Sequence, residues 1–188
     1  MRIISGNAKG KKIFIPLDKK TRPLKDMVRE SIFNIIVHSN LANIEFEKSF
    51  VLDLFSGVGS FGLEMISRGA TKVIFYEDYQ PALEMLKKNI DILSFNSQAE
   101  VYKKNIYIEN EFNNLNYKFD LVFIDPPFKD NKLIHVLNKL SESTILKSNT
   151  LIILHRHRKT NDTFQKNFKI LREEIYGISK IIFGCFTF

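Results

Sequence analysis

The stretch from Phe50 to Gly62 constrains the fold of this chain more than any other. It opens with a short apolar run that is typical of a buried parallel strand. Gly57 and Gly59 follow, and they allow a turn in which the backbone can approach a ligand closely. A helical pattern then continues to a stop signal at Gly69. Strand, glycine turn and helix together predict the first half of a nucleotide-binding βαβ unit.

Two classes of ligand are compatible with this turn. The glycines match the dinucleotide fingerprint G-x-G-x-x-G, and Glu77 lies 20 residues after Gly57, which favours a dehydrogenase. The spacing Asp53-x-Phe55-x-Gly57-x-Gly59 instead resembles the first motif of class I S-adenosylmethionine-dependent methyltransferases. A carboxylate at that place can accept hydrogen bonds from a cationic ligand, whereas it would repel the pyrophosphate of NAD. A third interpretation is an Asp that merely caps the helix after an ordinary tight turn.

The overall composition narrows the class of protein. A chain of 188 residues with 44% hydrophobic and 26% charged residues is expected to form one soluble globular domain. No apolar stretch reaches membrane-spanning length, and the amino terminus lacks a signal-peptide pattern, so we expect a cytoplasmic protein with no membrane partner. A single cysteine, Cys185, excludes an internal disulfide and a multi-cysteine zinc site, and we expect no metal.

The charge is concentrated at the amino terminus. Residues 1–25 contain eight basic side chains and one acidic one, which equals the whole formal net charge of +7. The other 163 residues are balanced, with 20 basic and 20 acidic side chains. A basic segment on a neutral domain is typical of a phosphate-binding surface, although a solvated lysine-rich surface is the alternative.

The segments after the glycine turn predict further strands with polar residues at their ends. Residues 72–77 read as a second strand whose terminal acid, Glu77, could accept both hydroxyls of a ribose, with Asp78 as a less certain contact. Asn105 and Ile106 follow a short third strand, and their position alone places them beside an adenine ring. A fourth strand over residues 119–124 leads directly into Asp125.

The remaining pattern completes a mostly parallel sheet with an extension at its start. Two short strands within residues 2–15 and a helix from about Leu24 to His38 precede the glycine turn, and that helix places Met27 on its apolar face and Arg29 on its polar face. Helices near residues 81–93 and 131–141, a strand over residues 150–155 and an antiparallel pair near residues 168–176 and 179–187 follow. The prediction is therefore a single α/β domain with a seven-stranded, mostly parallel sheet and an amino-terminal β-hairpin and helix.

The most specific motif is Asp125-Pro126-Pro127-Phe128, at the end of the fourth strand. Methyltransferases that act on amino groups carry such a motif: Asp, Asn or Ser, then Pro-Pro, then an aromatic residue. The exocyclic amine of a nucleobase is a poor nucleophile, because its lone pair is delocalised into the ring. The Asp125 carboxylate and the Pro126 carbonyl could accept its two hydrogens and turn the lone pair toward a methyl group, while the prolines stiffen the loop. Phe128 could stack on the base, a contact worth about 1–3 kcal/mol in single-strand binders.

With both motifs placed, the chain resembles the bacterial 16S ribosomal RNA guanine-N2 methyltransferases over nearly its whole length. Three segments carry the resemblance: residues 2–12 with their opening Arg-Ile-Ile-Ser-Gly, residues 22–34 with Arg-Pro-Leu and Arg-Glu, and residues 52–70 with Ser-Arg-Gly-Ala. The resemblance implies a class I (Rossmann-like) fold, S-adenosylmethionine as cofactor, ribosomal RNA or an assembling small subunit as partner, and a monomer. The pattern along the chain divides it into an extension over residues 1–45, which is too small to form a separate core, and a catalytic core over residues 46–188.

The motifs, the strand positions, the charge distribution and the resemblance together predict roles for individual residues. The reaction loop comprises Asp125, Pro126, Pro127 and Phe128. Cofactor contacts are expected from Asp53, Phe55, Gly57, Gly59, Glu77, Asp78, Asn105 and Ile106. RNA contacts are expected from Arg2, Lys9, Lys11, Lys12, Arg22 and Arg29.

One position departs from the pattern. An acid is expected at the end of the fifth strand, where this chain has His155 followed by the basic run Arg156 to Lys159. We interpret His155 as a neutral substitution, with a contact to RNA or to the base edge as the alternative. Three other functions stay open: methylation of adenine N6 in DNA, methylation of a protein glutamine, and a non-catalytic RNA-binding or ribosome-assembly module. The short chain without a target-recognition domain disfavours the first, and Asp rather than Asn at position 125 disfavours the second.

Overall fold

A computed structural model describes residues 1–18, 24–39, 41–108 and 112–188 of the chain. Two single-turn 3-10 helices lie at Phe46–Lys48 and Phe112–Asn114. The α-helices are α1 (Asp26–His38), α2 (Ser60–Ser67), α3 (Gln80–Leu93) and α4 (Leu133–Glu142). The strands are β1 (Phe50–Leu54), β2 (Lys72–Tyr76), β3 (Ala99–Tyr102), β4 (Phe119–Ile124), β5 (Leu146–His157), β6 (Phe168–Tyr176) and β7 (Ser179–Phe186). No helix in the described ranges is long and apolar enough to cross a membrane.

All seven strands form one sheet in the order β3-β2-β1-β4-β5-β7-β6, which confirms the predicted fold class. The first five in this order pair in parallel, and β7 pairs antiparallel with both β5 and β6. The strand order reverses direction between β1 and β4. Ligands of open α/β sheets bind beyond the carboxyl ends of the strands at such a switch point. The loops that follow β1, β2 and β4 are therefore the first place to look for a site.

Hydrophobic residues cover both faces of the sheet. Successive strand residues point to opposite faces, so Val51 joins the cluster that contains α1, α2 and α3, whereas Leu52 joins the cluster that contains α4. The same alternation continues in β4 and β5. Because both faces are covered, β1 and β4 are buried on each side, which explains why their sequences read as apolar runs rather than as alternating patterns.

The predicted amino-terminal hairpin is present, but it contains no regular strands. One antiparallel bridge joins Arg2 to Lys12. Beside it, Ile3 donates its N–H to Lys11 at 2.9 Å and accepts one from Gly10 at 2.9 Å. The two predicted strands are therefore wrong in extent, because the residues between them form turns.

Two side chains of α2, those of Glu64 and Ser67, hold the hairpin against this helix. The buried carboxylate of Glu64 accepts the backbone N–H groups of Ile4 at 2.7 Å and Ser5 at 2.9 Å. The hydroxyl of Ser67 donates to the Ser5 carbonyl at 2.6 Å. Gly6, at a φ of +82°, approaches so closely that an added Cβ would lie 1.7 Å from the Ser67 carbonyl oxygen. The extension thus packs into the same core as α2 and has no core of its own.

The buried face of α1 differs from the predicted one. Met27 is 62% exposed, whereas Arg29 is 0% exposed. The Arg29 guanidinium donates to the carbonyl of Arg2, to that of Ser60 at 3.5 Å and to the Asp26 carboxylate at 3.0 Å. A cation can be buried here because neighbouring oxygens accept hydrogen bonds from its terminal nitrogens and the Glu64 carboxylate lies 4.0 Å from its Nε. Most of these partners lie outside α1 and are not visible in its periodicity.

Candidate functional site

The glycine turn connects β1 to α2 at the switch point of the sheet. Gly57 and Gly59 have φ angles of +57° and +81°, in the left-handed region that favours glycine. A Cβ on Gly59 would also lie 2.4 Å from the side chain of Leu86. α2 begins directly after this turn, so its free backbone N–H groups lie close to the carboxyl end of β1.

Asp53 lies behind the turn and is 1% exposed. Its Oδ2 accepts the N–H of Gly62, in the first turn of α2, at 3.0 Å, so the capping interpretation describes one of its two oxygens. Its buried Oδ1 has no hydrogen-bond partner in the described part of the chain. Burial raises the pKa of this carboxyl well above its usual range, and the negative charges of Asp125 and Glu77 raise it further. Asp53 lines neither of the cavities described below, so it can act on a cationic ligand group through its charge and not through direct contact.

Glu77 follows β2 and links two parts of the site. Its Oε2 accepts the N–H of Gly57 at 2.6 Å, and its Oε1 accepts the N–H of Tyr79 at 2.7 Å. Burial raises the pKa of Glu77, and these two backbone hydrogen bonds oppose that rise. Each carboxylate oxygen has a second lone pair and can accept a further hydroxyl group.

Two adjoining cavities open at this edge of the sheet. The larger has a volume of about 550 Å³, within the usual range of ligand pockets, and the smaller about 190 Å³. Both are lined by Phe55, Glu77, Asp78 and Pro127. The larger adds Gly57, Asp125, Pro126, Phe128 and His155, and the smaller adds Tyr76, Lys104, Asn105, Ile106 and Tyr107. The structure thereby brings the predicted reaction loop and most of the predicted cofactor residues around one bilobed space, whereas Asp53 and Gly59 line neither cavity.

The amide of Asn105 holds the wall of the smaller cavity. Its Nδ2 donates to the Asp78 carboxylate at 2.6 Å, and its Oδ1 accepts the N–H of Tyr107 at 3.0 Å. One N–H of the amide is left for a ligand. The buried side chain of Ile106 lies in the same wall.

The Asp125–Phe128 loop begins where β4 ends. The backbone N–H of Asp125 donates to the Leu54 carbonyl of β1 at 3.2 Å, and the loop closes with a hydrogen bond from the Asp130 N–H to the Pro127 carbonyl at 2.8 Å. The ring of Phe128 lies roughly perpendicular to the rings of His155 and His157, at 5.4 Å from each. The loop is therefore held at both ends, and its four residues all line the larger cavity.

Sequence reasoning missed the position of His155. This residue is 5% exposed, its Nδ1 lies 2.7 Å from Oδ1 of Asp125, and its Nε2 lies 2.8 Å from Oγ of Ser179. Its burial disfavours a contact with the RNA backbone, whereas the alternative of a contact with the base edge stays open, because His155 lines the larger cavity. The one signal for it in the sequence was a histidine at a position where an acid is expected. Arg156, the first cation of the basic run, is also buried, and its guanidinium pairs with Asp162 at 2.8 Å.

The predicted RNA contacts divide into three groups. Arg2, Lys9, Lys11 and Lys12 are exposed on the hairpin. Arg22 lies outside the described residues. The prediction for Arg29 is wrong, because its guanidinium is fully buried and bonded to protein oxygens. The exposed hairpin cations are the ones that can meet a polyanion.

Comparisons with known proteins agree with this geometry. The family model described as conserved hypothetical protein 95 matches residues 1–185. A putative rRNA methyltransferase, YlbH, from Bacillus subtilis is 31% identical, with 96% of each chain covered. Ribosomal RNA small subunit methyltransferase D from Haemophilus influenzae is 34% identical, with 95% of this chain and 90% of the relative covered. The solved structure of the putative methyltransferase yhhF from Escherichia coli superposes with a TM-score of 0.83 at 27% identity, covering 100% of this chain and 98% of that one.

These similarities extend over nearly the whole chain, including the hairpin and the reaction loop. They confirm the predicted resemblance to small-subunit ribosomal RNA methyltransferases and the Rossmann-like methyltransferase fold. The chain belongs to the conserved hypothetical protein 95 family.

Proposed function

We propose that this protein transfers a methyl group from S-adenosylmethionine to the exocyclic N2 amine of a guanine in small-subunit (16S) ribosomal RNA. One observation carries the proposal: the glycine turn and the Asp125–Phe128 loop line the same cavity of about 550 Å³. Methyl transfer to an amine requires donor and acceptor to be held together in line, and one cavity can do so. The names of the family relatives support ribosomal RNA as the substrate class.

The donor would occupy both lobes of the site. The smaller cavity has the size and flat aromatic walls for an adenine ring, with Asn105, Ile106 and Asp78 at its edge. Glu77 stands where the two lobes meet and has free lone pairs for the ribose hydroxyls. The charge of the buried Asp53 carboxylate, which lies behind the glycine turn, would stabilise the positive charge of the methionine end without touching it. When bound, S-adenosylmethionine supplies an electrophilic methyl group on a positively charged sulfur.

The acceptor amine would be oriented by Asp125 and Pro126. An ionised carboxylate accepts hydrogen bonds only, so the Asp125 oxygen that is not engaged with His155 can accept one amine N–H. The Pro126 carbonyl would accept the other, which leaves the nitrogen lone pair directed at the donor. Phe128 would hold the base by stacking. The protein thus acts by positioning and by excluding water from the reacting atoms.

Exposed cations on the hairpin and on α3 would bind the RNA backbone. Lys12 and Lys88 lie on either side of Phe14, with their Nζ atoms 5.4 Å and 4.4 Å from its ring centroid. Asn89 fixes this segment to α3, since its amide donates to the Phe14 carbonyl at 3.0 Å and accepts the Phe14 N–H at 2.8 Å. The phosphate-binding surface that we propose therefore extends beyond the predicted hairpin to Lys88.

Binding of S-adenosylmethionine is expected to release protons in part through Asp53. Burial raises the pKa of the Asp53 carboxyl in the free protein, and a nearby sulfonium charge favours the ionised form and lowers that pKa. Cofactor affinity should therefore rise with pH above the ordinary carboxyl pKa of about 4. Titration calorimetry in two buffers of different ionisation enthalpy measures the protons released. Asp53→Asn should abolish the carboxyl's share, and identical proton release in that variant contradicts the assignment.

Glu77→Ala is expected to weaken S-adenosylmethionine binding much more than Asp78→Ala. Two hydroxyls bonded to a buried carboxylate contribute about 1.5–3 kcal/mol each, and the same carboxylate also holds the Gly57 N–H. Asp78 is exposed and acts mainly through Asn105, which makes it a matched neighbouring control. Calorimetric dissociation constants decide the question. Equal losses from the two variants would show that the ribose is not bound at Glu77.

The proposed function is tested by methyl transfer from radiolabelled S-adenosylmethionine to 16S RNA and to small-subunit particles that lack their own guanine-N2 methylation. Digestion of the product RNA and mass spectrometry should identify N2-methylguanosine. A methylated adenine in DNA or a methylated glutamine would point to the other amino-group acceptors. Cofactor binding without turnover on any of these substrates would favour a non-catalytic module.

A further inference from the structure

The side chain of His155 lies between two polar partners on separate elements. Nδ1 contacts Oδ1 of Asp125 at 2.7 Å, and Nε2 contacts Oγ of Ser179, the first residue of β7, at 2.8 Å. His155 itself lies in β5, which pairs with β4 on one side and β7 on the other. The imidazole therefore lies in the interior of the sheet, where residues at the ends of β4 and β7 fix its position.

The contacts of both ring nitrogens are consistent with a neutral imidazole that is protonated at Nδ1. An ionised carboxylate cannot donate, so the proton between Asp125 and His155 belongs to Nδ1 of the imidazole. The neutral ring then accepts at Nε2, and the hydroxyl of Ser179 can donate there. Ser179 thus completes the set of partners that keeps Nδ1–H directed at Asp125.

His155 also contacts the other end of the reaction loop. The Phe128 ring stands at an interplanar angle of 78° to the imidazole, with 5.4 Å between the ring centroids. One side chain therefore touches both the residue assigned to orient the amine and the residue assigned to stack on the base. An acid at position 155 would face the Asp125 carboxylate as a like charge, whereas the imidazole supplies a donor.

We propose that His155 is a positioning residue of the methyl-transfer site. It fixes Oδ1 of Asp125 so that the second carboxylate oxygen faces the acceptor amine, and Ser179 holds it in the tautomer that this requires. The role rests on the proposed function, because the amine must be the group that Asp125 orients. His155 touches neither the proposed donor contacts nor the hairpin, so its loss should act on turnover and not on cofactor binding.

Three variants separate this role from a purely structural one. His155→Phe keeps an aromatic ring beside Phe128, somewhat larger than the imidazole, but removes both hydrogen bonds. His155→Asn leaves a cavity but retains an amide N–H at the position of Nδ1. Ser179→Ala removes only the second partner. A structural role ranks the variants by packing, so that Phe performs at least as well as Asn. A positioning role ranks them by the hydrogen bond to Asp125, so that Asn performs better than Phe.

The experiment measures kcat, the dissociation constant of S-adenosylmethionine and Tm for each variant. We expect kcat to fall about 10- to 100-fold in His155→Phe, with recovery of at least about 3-fold in His155→Asn and a smaller loss in Ser179→Ala. The cofactor dissociation constant should change less than about 2-fold. A kcat near wild type in His155→Phe, or a lower one in His155→Asn than in His155→Phe, overturns the proposal.

A second measurement is independent of turnover. Nitrogen–proton correlation spectra of the histidine rings should show His155 protonated at Nδ1 in the wild type, with a slowly exchanging N–H that is lost in Asp125→Ala. If the wild type has no methyltransferase activity but shows this signal, the proposed function fails while the contact stands. If the signal is absent or the proton is on Nε2, the positioning role itself fails.

Discussion

Asp125→Ala is expected to lower the kcat of methyl transfer by about 100- to 1000-fold, the loss typical of removing one preorganised group that acts on the transition state. The carboxylate lies in the larger cavity, held on one oxygen by His155. Without it, the acceptor amine loses one of its two hydrogen-bond acceptors, and its lone pair stays delocalised into the base. Affinity for S-adenosylmethionine should change only a few-fold, because the proposed donor contacts at Glu77 and Asn105 remain. Radiolabelled methyl transfer beside calorimetric titration measures both quantities.

Asp125→Asn serves as the matched control for that variant. Its single amide oxygen can accept from His155 or from the amine but not from both, so its kcat should lie between those of the wild type and Asp125→Ala. The order wild type, Asn, Ala indicates that hydrogen-bond acceptance is the property that matters. Turnover of Asp125→Ala near the wild-type level is incompatible with the assigned role.

The second large effect is expected from the hairpin. Replacing Lys9, Lys11 and Lys12 together by alanine removes three exposed cations from the proposed phosphate-binding surface. Each lost phosphate contact should make the log–log salt slope of RNA binding shallower by about 0.7–0.9. Affinity for RNA should fall most at low salt, while cofactor affinity stays the same, because none of these lysines lines either cavity. Binding isotherms at several salt concentrations provide the slope.

A control variant carries the same type of change at a different surface. Lys166 and Lys169 are exposed and lie beside or within β6, at the far edge of the sheet from β3. Their replacement by alanine should change the salt slope much less per removed charge than the hairpin variant does. If the two variants change the slope equally per charge, the protein's overall charge rather than the hairpin determines RNA binding. An unaltered slope in the hairpin variant places the RNA elsewhere.

The sequence predicted best the elements whose residues are buried on both sides. Residues 119–124 were predicted as a strand and form β4 with the same bounds, because an apolar run between polar ends has few alternatives. β5 extends from Leu146 to His157, beyond the predicted residues 150–155, since the polar residues near its start stay exposed in an extended conformation. Pairing with neighbouring strands, and not the local sequence pattern, makes those additional residues part of β5.

Contacts between distant residues were the part that the sequence could not provide. Arg29 was predicted to face solvent because its charge argues for exposure, yet carbonyl oxygens from Arg2 and Ser60 make its burial possible. His155 and Asp125 lie 30 residues apart, and only the parallel pairing of β4 with β5 brings them to hydrogen-bonding distance. The periodicity of a helix or strand indicates which of its own residues are buried. It does not indicate partners from other parts of the chain, such as Arg2, Ser60 and Asp125.

The attachment of the hairpin to Glu64 and Ser67 has a geometric consequence for any RNA that binds. α2 begins at the glycine turn and carries both of these side chains, so hairpin and donor pocket are joined by one short, rigid helix. The backbone span from the hairpin to the reaction loop is thus set before RNA arrives, so that contact with RNA costs the ordering of side chains but not of this backbone. If the hairpin binds phosphates as proposed, only a nucleotide whose distance in the folded RNA from those phosphates matches this span can reach the reaction loop.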